Sequence, residues 1–235
     1  MRLFGTRGKN DGSGDGLPQE RLREKSYYSG NWPERILPYE HLEPYLSVWM
    51  KPHETFAGKR VLDVGAGECT YTRLIADRFG PSEVIACDIF RERMLPVVQS
   101  NHNPRMKFVE GDCYALPFAP RSFDVVFGSF ILHHLQNLDK AASEIARVLV
   151  PGGTYVGIEP SPYNPLHLLR FVSGNRSPNE YLLTQRRVRD VLAAKGMSVS
   201  VRYFYPKLPG VHLPFLSSCM GILARMKPED SHART

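Results

Sequence analysis

The sequence lacks what would carry a chain across a membrane or out through one. No run reaches the roughly 18 uninterrupted apolar residues that span a bilayer, and mean hydropathy is -0.30. The opening MRLFGTRGKND places charges where a secretory leader needs its apolar stretch. The four cysteines, Cys69, Cys87, Cys113 and Cys219, include no CxxC pair, which speaks against a disulfide framework and for reduced thiols in a cytoplasm. Internal repeats are absent, as is any block of arginines interleaved with aromatics of the kind RNA-binding surfaces show. With 23% charged and 11% aromatic residues, collagen, coiled coil and wholesale disorder are excluded.

What remains is a chain of 235 residues, 42% hydrophobic, enough for one sizeable core. The net charge of +6 is uneven: residues 1–159 hold 19 Lys and Arg against 20 Asp and Glu, and residues 160–235 hold 11 against 4. Such an excess suits an anionic substrate, RNA or a lipid surface; the scatter of the arginines favours a solvated basic face.

Residues 1–16 contain the glycine-rich GTRGKNDGSGDG, which buries nothing, and are expected to form a disordered tail. Residues 17–57 read as an N-terminal helical cap with paired tyrosines and two tryptophans. From residue 58 short apolar runs alternate with helical periodicity. Strands are predicted over 59–65, 82–88, 106–112, 122–129 and 154–160, and helices over 70–79, 94–99 and 138–149, the last ended by Pro151, Gly152 and Gly153. A lid helix over 164–172 within an insertion near 161–183, a helix over 184–196 and two strands near 199–205 and 219–226 follow. The expected fold is α/β: a doubly wound, Rossmann-like, seven-stranded, mostly parallel sheet with helices on both faces, occupying 58–235 behind the cap.

Ligands of such a sheet bind beyond the carboxyl ends of its strands, and the strands end in informative residues. The first closes with Asp63, Val64, Gly65, Ala66, Gly67, a D-x-G-x-G turn; the second closes with Asp88, and the third with Gly111, Asp112 and Cys113. A dinucleotide fingerprint would need a third glycine where Thr70 stands. Three carboxylates on one rim, without an arginine in the turn, suit a cation better than a pyrophosphate. S-adenosylmethionine carries a sulfonium, an ammonium, a ribose diol and an adenine amine, a partner for each acid.

The stretches VLDVGAGECTYT, VIACDIF, FVEGDCYALPFAPRSFDVVFGSFILHHL and ARVLVPGGTYVGIEP resemble the class I S-adenosylmethionine-dependent methyltransferases, in particular the subgroup acting on small molecules. The resemblance covers roughly residues 58–160. It implies S-adenosylmethionine as cofactor and S-adenosylhomocysteine as product. It further implies that Asp63, Gly65, Ala66 and Gly67 hold the methionine end, that Asp88 takes the ribose hydroxyls and Ile89 packs on adenine, and that Asp112, beside Gly111 and Cys113, takes the adenine amine. The backbone at Ser129 and Phe130 would approach the amino group, and Tyr28 would close over the cofactor. Cys69 is a departure, because many relatives have glycine there.

A sulfonium methyl is already activated, so such an enzyme must chiefly hold a nucleophile in line, with a base where the acceptor carries a proton. His133 and His134 follow the fourth strand. Adjacent helical residues diverge by about 100 degrees, so one at most faces the substrate. His133 is the expected catalytic base, since the resemblance implies that the second position packs inside; a structural role for both is the alternative. Neighbouring imidazoles do not converge on one ion, so no metal is expected.

No N-P-P-Y-like sequence follows the fourth strand, where GSFILHHL stands, which argues against DNA. The resemblance places acceptor contacts in Trp32–Trp49 and Tyr163–Tyr181. Leucines there with Arg170 and Arg176 suit a hydrophobic or aromatic small molecule with an anionic group, such as a polyketide, quinone or lipid-linked intermediate. The alternatives are methylation of RNA or protein, an NAD(P)-dependent oxidoreductase, or an RNA-binding protein that keeps the fold without catalysis.

Overall fold

The structure, a computed structural model, describes residues 39–174, 177, 179–208, 210 and 212–228. Three short helices open it: α1 (Tyr39–Leu42), α2 (Pro44–Ser47) and α3 (Pro52–Phe56), the last two started by prolines whose missing N–H costs a first turn nothing. There follow β1 (Arg60–Val64), α4 (Thr70–Arg78), β2 (Glu83–Asp88), α5 (Arg91–Ser100), β3 (Met106–Glu110), β4 (Phe123–Ser129), a 3-10 turn (Leu132–His134), α6 (Leu138–Val148), β5 (Leu149–Pro160), α7 (Pro165–Val172), α8 (Gln185–Ala193), β6 (Met197–Phe204) and β7 (Cys219–Met226). None of the described helices is long and apolar enough to cross a membrane.

The strands form one seven-stranded sheet in the order β3-β2-β1-β4-β5-β7-β6, parallel except for β7, which runs antiparallel to both neighbours. β1 and β2 are buried almost throughout because both faces are covered. One face packs α6 and α8 through Leu138, Ile145, Val188 and Leu192, and the other packs α4, α5 and the opening helices through Leu46, Leu74, Ile75 and Met94. β1 lies between β2 and β4, so the winding reverses there and a crevice opens at their carboxyl ends.

Two expectations need correction. The Pro151-Gly152-Gly153 run does not separate helix from strand; it lies inside β5, which begins at Leu149. The β4 pairing steps from Phe123–Leu149 to Val125–Thr154, and Gly152 takes φ 75° in the irregularity. Trp49, expected near the acceptor, is buried instead. Its ring stacks on Phe204 with centroids 5.8 Å apart, and a Cβ on Gly221 of β7 would come within 2.5 Å of it. Trp32 and Tyr28 lie outside the described residues.

Candidate active site

The carboxyl end of β1 buries a charge with little to balance it. Asp63 is 1% exposed; its Oδ2 accepts a hydrogen bond from the Thr72 hydroxyl at 2.5 Å, while its Oδ1 is buried with no hydrogen-bond partner. Burial pushes the carboxyl up to about 7; the Thr72 hydrogen bond opposes this, and the negative charge of Asp88 adds to it. An orphaned buried carboxylate oxygen calls for a ligand cation or donor.

The turn after β1 is held against β2. Gly65 N–H donates to the Cys87 carbonyl at 2.8 Å, and Ala66 N–H to the same oxygen at 3.2 Å. Gly67 N–H donates to Asp88 Oδ2 and Phe90 N–H to Asp88 Oδ1, both at 2.8 Å. Gly65 takes φ 69°, and a Cβ there would come within 2.6 Å of the Ile131 side chain. Cys69 also adopts the left-handed conformation, φ 56° and ψ 27°. It therefore traces the path a glycine would take, at a cost of about 1 kcal/mol, and the departure in residue type leaves the turn intact.

Gly111 N–H donates to the Asp88 carbonyl at 3.0 Å, and Asp112 Oδ1 accepts from Tyr114 N–H at 2.9 Å. The three acids share one field. Burial pushes the Cys87 thiol up, and the charges of Asp88, Asp63 and Asp112 add to the effect. Burial raises Cys69 likewise, and both thiols stay protonated and unsuited to attack. Ile89 is half-buried beside Asp88, and Cys113 is buried beside Asp112.

At the end of β4, Ser129 and Phe130 are half-buried. Phe130 takes φ 53°, strained backbone for a bulky residue, and its N–H donates to the Ile158 carbonyl at 2.7 Å. Tyr45 of α2 meets the Phe130 ring edge-on with centroids 6.3 Å apart, so the cap reaches this rim. The turn that follows is organised by Glu159, a fully buried residue near the end of β5. Its carboxylate accepts from Leu132 N–H at 2.8 Å, Ile131 N–H at 3.2 Å and His133 N–H at 3.4 Å. His133 Nδ1 lies 2.5 Å from Glu159 Oε2, and the His133 ring is buried. His134 is the more exposed of the two. Its Nδ1 lies 3.1 Å from Ser177 Oγ, and burial, assisted by the charges of His133, Arg170 and Arg93, lowers it to about 3, which keeps it neutral.

Two contributors escaped the sequence reading. Glu159 ends a buried strand as Asp63 and Asp88 do, and the same rule would have found it. Arg93 of α5 brings a guanidinium over the turn: a Cβ on Gly67 would come within 2.9 Å of its Nη2, and the Arg93–Glu68 pair is 3.4 Å apart. Among the described residues no cluster of three metal-ligating side chains exists.

Residues 62–157 match the family described as a methyltransferase domain. Over these residues the chain is similar to the S-adenosylmethionine-dependent methyltransferases. It is 35% identical over 145 residues to a malonyl-[acyl-carrier protein] O-methyltransferase of Methylococcus capsulatus, covering 59% of this chain and 52% of that one. It is 43% identical over 102 residues to a demethylmenaquinone methyltransferase of Renibacterium salmoninarum, covering 43% and 41%. The chain thus spans about half the length of these curated relatives. Among solved structures, an S-adenosylmethionine-dependent methyltransferase from Mesorhizobium loti superposes with a TM-score of 0.61 at 18% identity, covering 73% of this chain and 92% of that one. A Haemonchus contortus enzyme described as a phosphoethanolamine-type N-methyltransferase, solved with S-adenosylhomocysteine, superposes with a TM-score of 0.62 at 18% identity, covering 88% and 57%. These two likenesses establish the shared fold. The family matched over residues 62–157 uses S-adenosylmethionine, and the residues at the rim fit that group: an orphaned acid oxygen for its cationic end, glycine turns for close approach, and further acids for its nucleoside.

Proposed function

We propose that the protein transfers the methyl group of S-adenosylmethionine to a small organic acceptor, a quinone-like or lipid-like molecule, by in-line displacement. The observation that carries this reading is the buried Asp63 Oδ1 without a partner, in the shared field of Asp88 and Asp112. When bound, the cofactor supplies a methyl group on a sulfonium. Held by Asp63, Asp88 and Asp112, it would supply that methyl group to the acceptor and leave as S-adenosylhomocysteine.

The chain's own residues do the rest. Asp63 and the backbone of Gly65, Ala66 and Gly67 hold the methionine end, Asp88 takes the ribose hydroxyls, and Ile89 packs on adenine. Asp112, with Gly111 and Cys113 beside it, takes the adenine amine, and Ser129 and Phe130 approach the amino group with their backbone. His133 takes the acceptor's proton where there is one. With Nδ1–H donated to Glu159, Nε2 is the nitrogen that accepts. Glu159 is a positioning residue: it sets that tautomer and holds the turn through three N–H groups. The name of the demethylmenaquinone methyltransferase supports an acceptor of low polarity, and that of the malonyl-[acyl-carrier protein] O-methyltransferase supports one with an anionic group.

The test is incubation of the full chain with methyl-labelled S-adenosylmethionine and a panel of a demethylated quinone, a long-chain acid and RNA. Label is expected in the quinone or acid; label in RNA or protein alone would replace the acceptor class.

A further inference from the structure

Helix α7 turns apolar side chains outward. Its Leu166, Leu168, Leu169 and Val172 face solvent, with Leu166 78% and Val172 70% exposed, while His167, Arg170 and Phe171 are half-buried. Arg170 pairs with the buried Glu180, whose carboxylate also accepts Ser177 N–H at 3.1 Å. An isolated exposed leucine means little, but four exposed apolar side chains on one short helix form a stripe that calls for a partner.

The rest of the surface sharpens this. Every exposed large hydrophobic side chain among the described residues lies on one of two segments, residues 163–172 or residues 208–216, the latter with Leu208, Leu213, Phe215 and Leu216. The two segments are fastened together. Asn164 Nδ2 donates to the Ser217 carbonyl at 3.2 Å, and Ser161 Oγ donates to the Pro214 carbonyl at 2.9 Å. A cleft of about 460 Å³ lined by Tyr163, Tyr203, Phe215 and Arg186 runs between them.

Charge identifies the occupant. Residues 160–179 and 191–228, which contain both segments, include no Asp or Glu. The exposed Lys207 adjoins Leu208, and the exposed Arg186 borders the cleft. Residues 160–228 hold ten Lys and Arg against two acids, Glu180 paired with Arg170 and Asp190 paired with Arg186, and apolar side chains with surplus cations beside them are the pattern of a surface that dips into a bilayer of anionic lipid. A protein partner or a second copy would need no such surplus. We infer that α7 and the side chains of Leu208, Leu213, Phe215 and Leu216 dock the protein on the surface of an anionic membrane. Burial of the leucines among acyl chains would bring α7, and with it the Arg170–Glu180 pair leading to His134, to the source of an apolar acceptor.

The experiment is flotation of the full chain with vesicles of phosphatidylcholine alone and of phosphatidylcholine mixed with phosphatidylglycerol. The wild type is expected to float with the mixed vesicles, to be released by high salt, and to float at least about tenfold less with the neutral ones. The double variant Leu166→Glu, Leu216→Glu, with one change in each segment, should lose at least about tenfold of that binding while retaining its affinity for S-adenosylhomocysteine, which shows that it folds. Failure of the wild type to float, or equal flotation of the variant, would overturn the inference. A mass twice the chain's in light scattering, abolished by the variant and without vesicle binding, would assign the face to a second copy instead. Because the readout is binding rather than turnover, a negative result leaves the proposed methyl transfer standing.

Discussion

The Thr72 hydroxyl lies 2.5 Å from one carboxyl oxygen of Asp63 and leaves the other oxygen buried with nothing to accept from. Hydrogen bonding from Thr72 does not offset the desolvation of this group, and its affinity for a proton rises to about 7 from an ordinary 3.8. A carboxyl raised on folding stabilises the fold while the unfolded chain is still protonated, below about pH 4, and that contribution fades as pH climbs through about 7. The ligand-free protein should therefore lose melting temperature between about pH 5 and 7 relative to Asp63→Asn, whose curve should be flatter. The ammonium group of S-adenosylhomocysteine favours the ionised acid, so its affinity should rise over the same range with release of a proton, seen as buffer-dependent heats in calorimetry. Parallel pH curves for the two proteins would remove the role assigned to this acid.

Asp88 serves two ends of the same site, since its oxygens hold the N–H groups of Gly67 and Phe90. Asp88→Ala should weaken S-adenosylhomocysteine binding by at least about 1 kcal/mol, about fivefold, and should also lower the unfolding free energy by about 1–3 kcal/mol. Titration calorimetry and urea unfolding measure the two separately.

Gly65 takes φ 69° and faces Ile131 at what would be 2.6 Å from a Cβ. Gly65→Ala combines a left-handed backbone with a side-chain clash, for a loss of about 1–3 kcal/mol in urea unfolding together with weaker cofactor binding. Gly80→Ala is the control: its φ is 61° and nothing lies within 4 Å of a Cβ, so it should cost stability without touching affinity.

His133→Gln should lower kcat by about 100-fold with little change in S-adenosylhomocysteine affinity, and unchanged turnover would leave the imidazole a structural part only. Glu159→Gln keeps the shape of the positioning residue and should shift the pH profile of kcat. Glu159→Ala strands three N–H groups beside His133 and should cost about 2–4 kcal/mol in unfolding.

Much of the rim was legible because a buried parallel strand seldom ends in a carboxylate without cause: Asp63 and Asp88 stand at such ends, and Asp112 follows the edge strand β3. The order of helices and strands followed from periodicity. What escaped has common physical roots. Glu159 obeys the same rule, but a single acid among apolar neighbours gives no spacing to notice. Arg93 reaches the Gly67 turn across 26 residues of chain, a contact set by the length of its side chain and the path of α5. The Pro151-Gly152-Gly153 run is read locally as a break, and only the pairing of β4 with β5 turns it into a bulge. Trp49 reads as a binding aromatic in a cap and becomes core because Gly221, far along the chain, leaves space for it.

The most direct test of the central claim is isothermal titration of the full chain with S-adenosylhomocysteine and, separately, with NAD and NADP. The account predicts one binding site for S-adenosylhomocysteine, weakened in Asp88→Ala, and no heat from either dinucleotide. Saturable binding of a dinucleotide with no response to S-adenosylhomocysteine would contradict it.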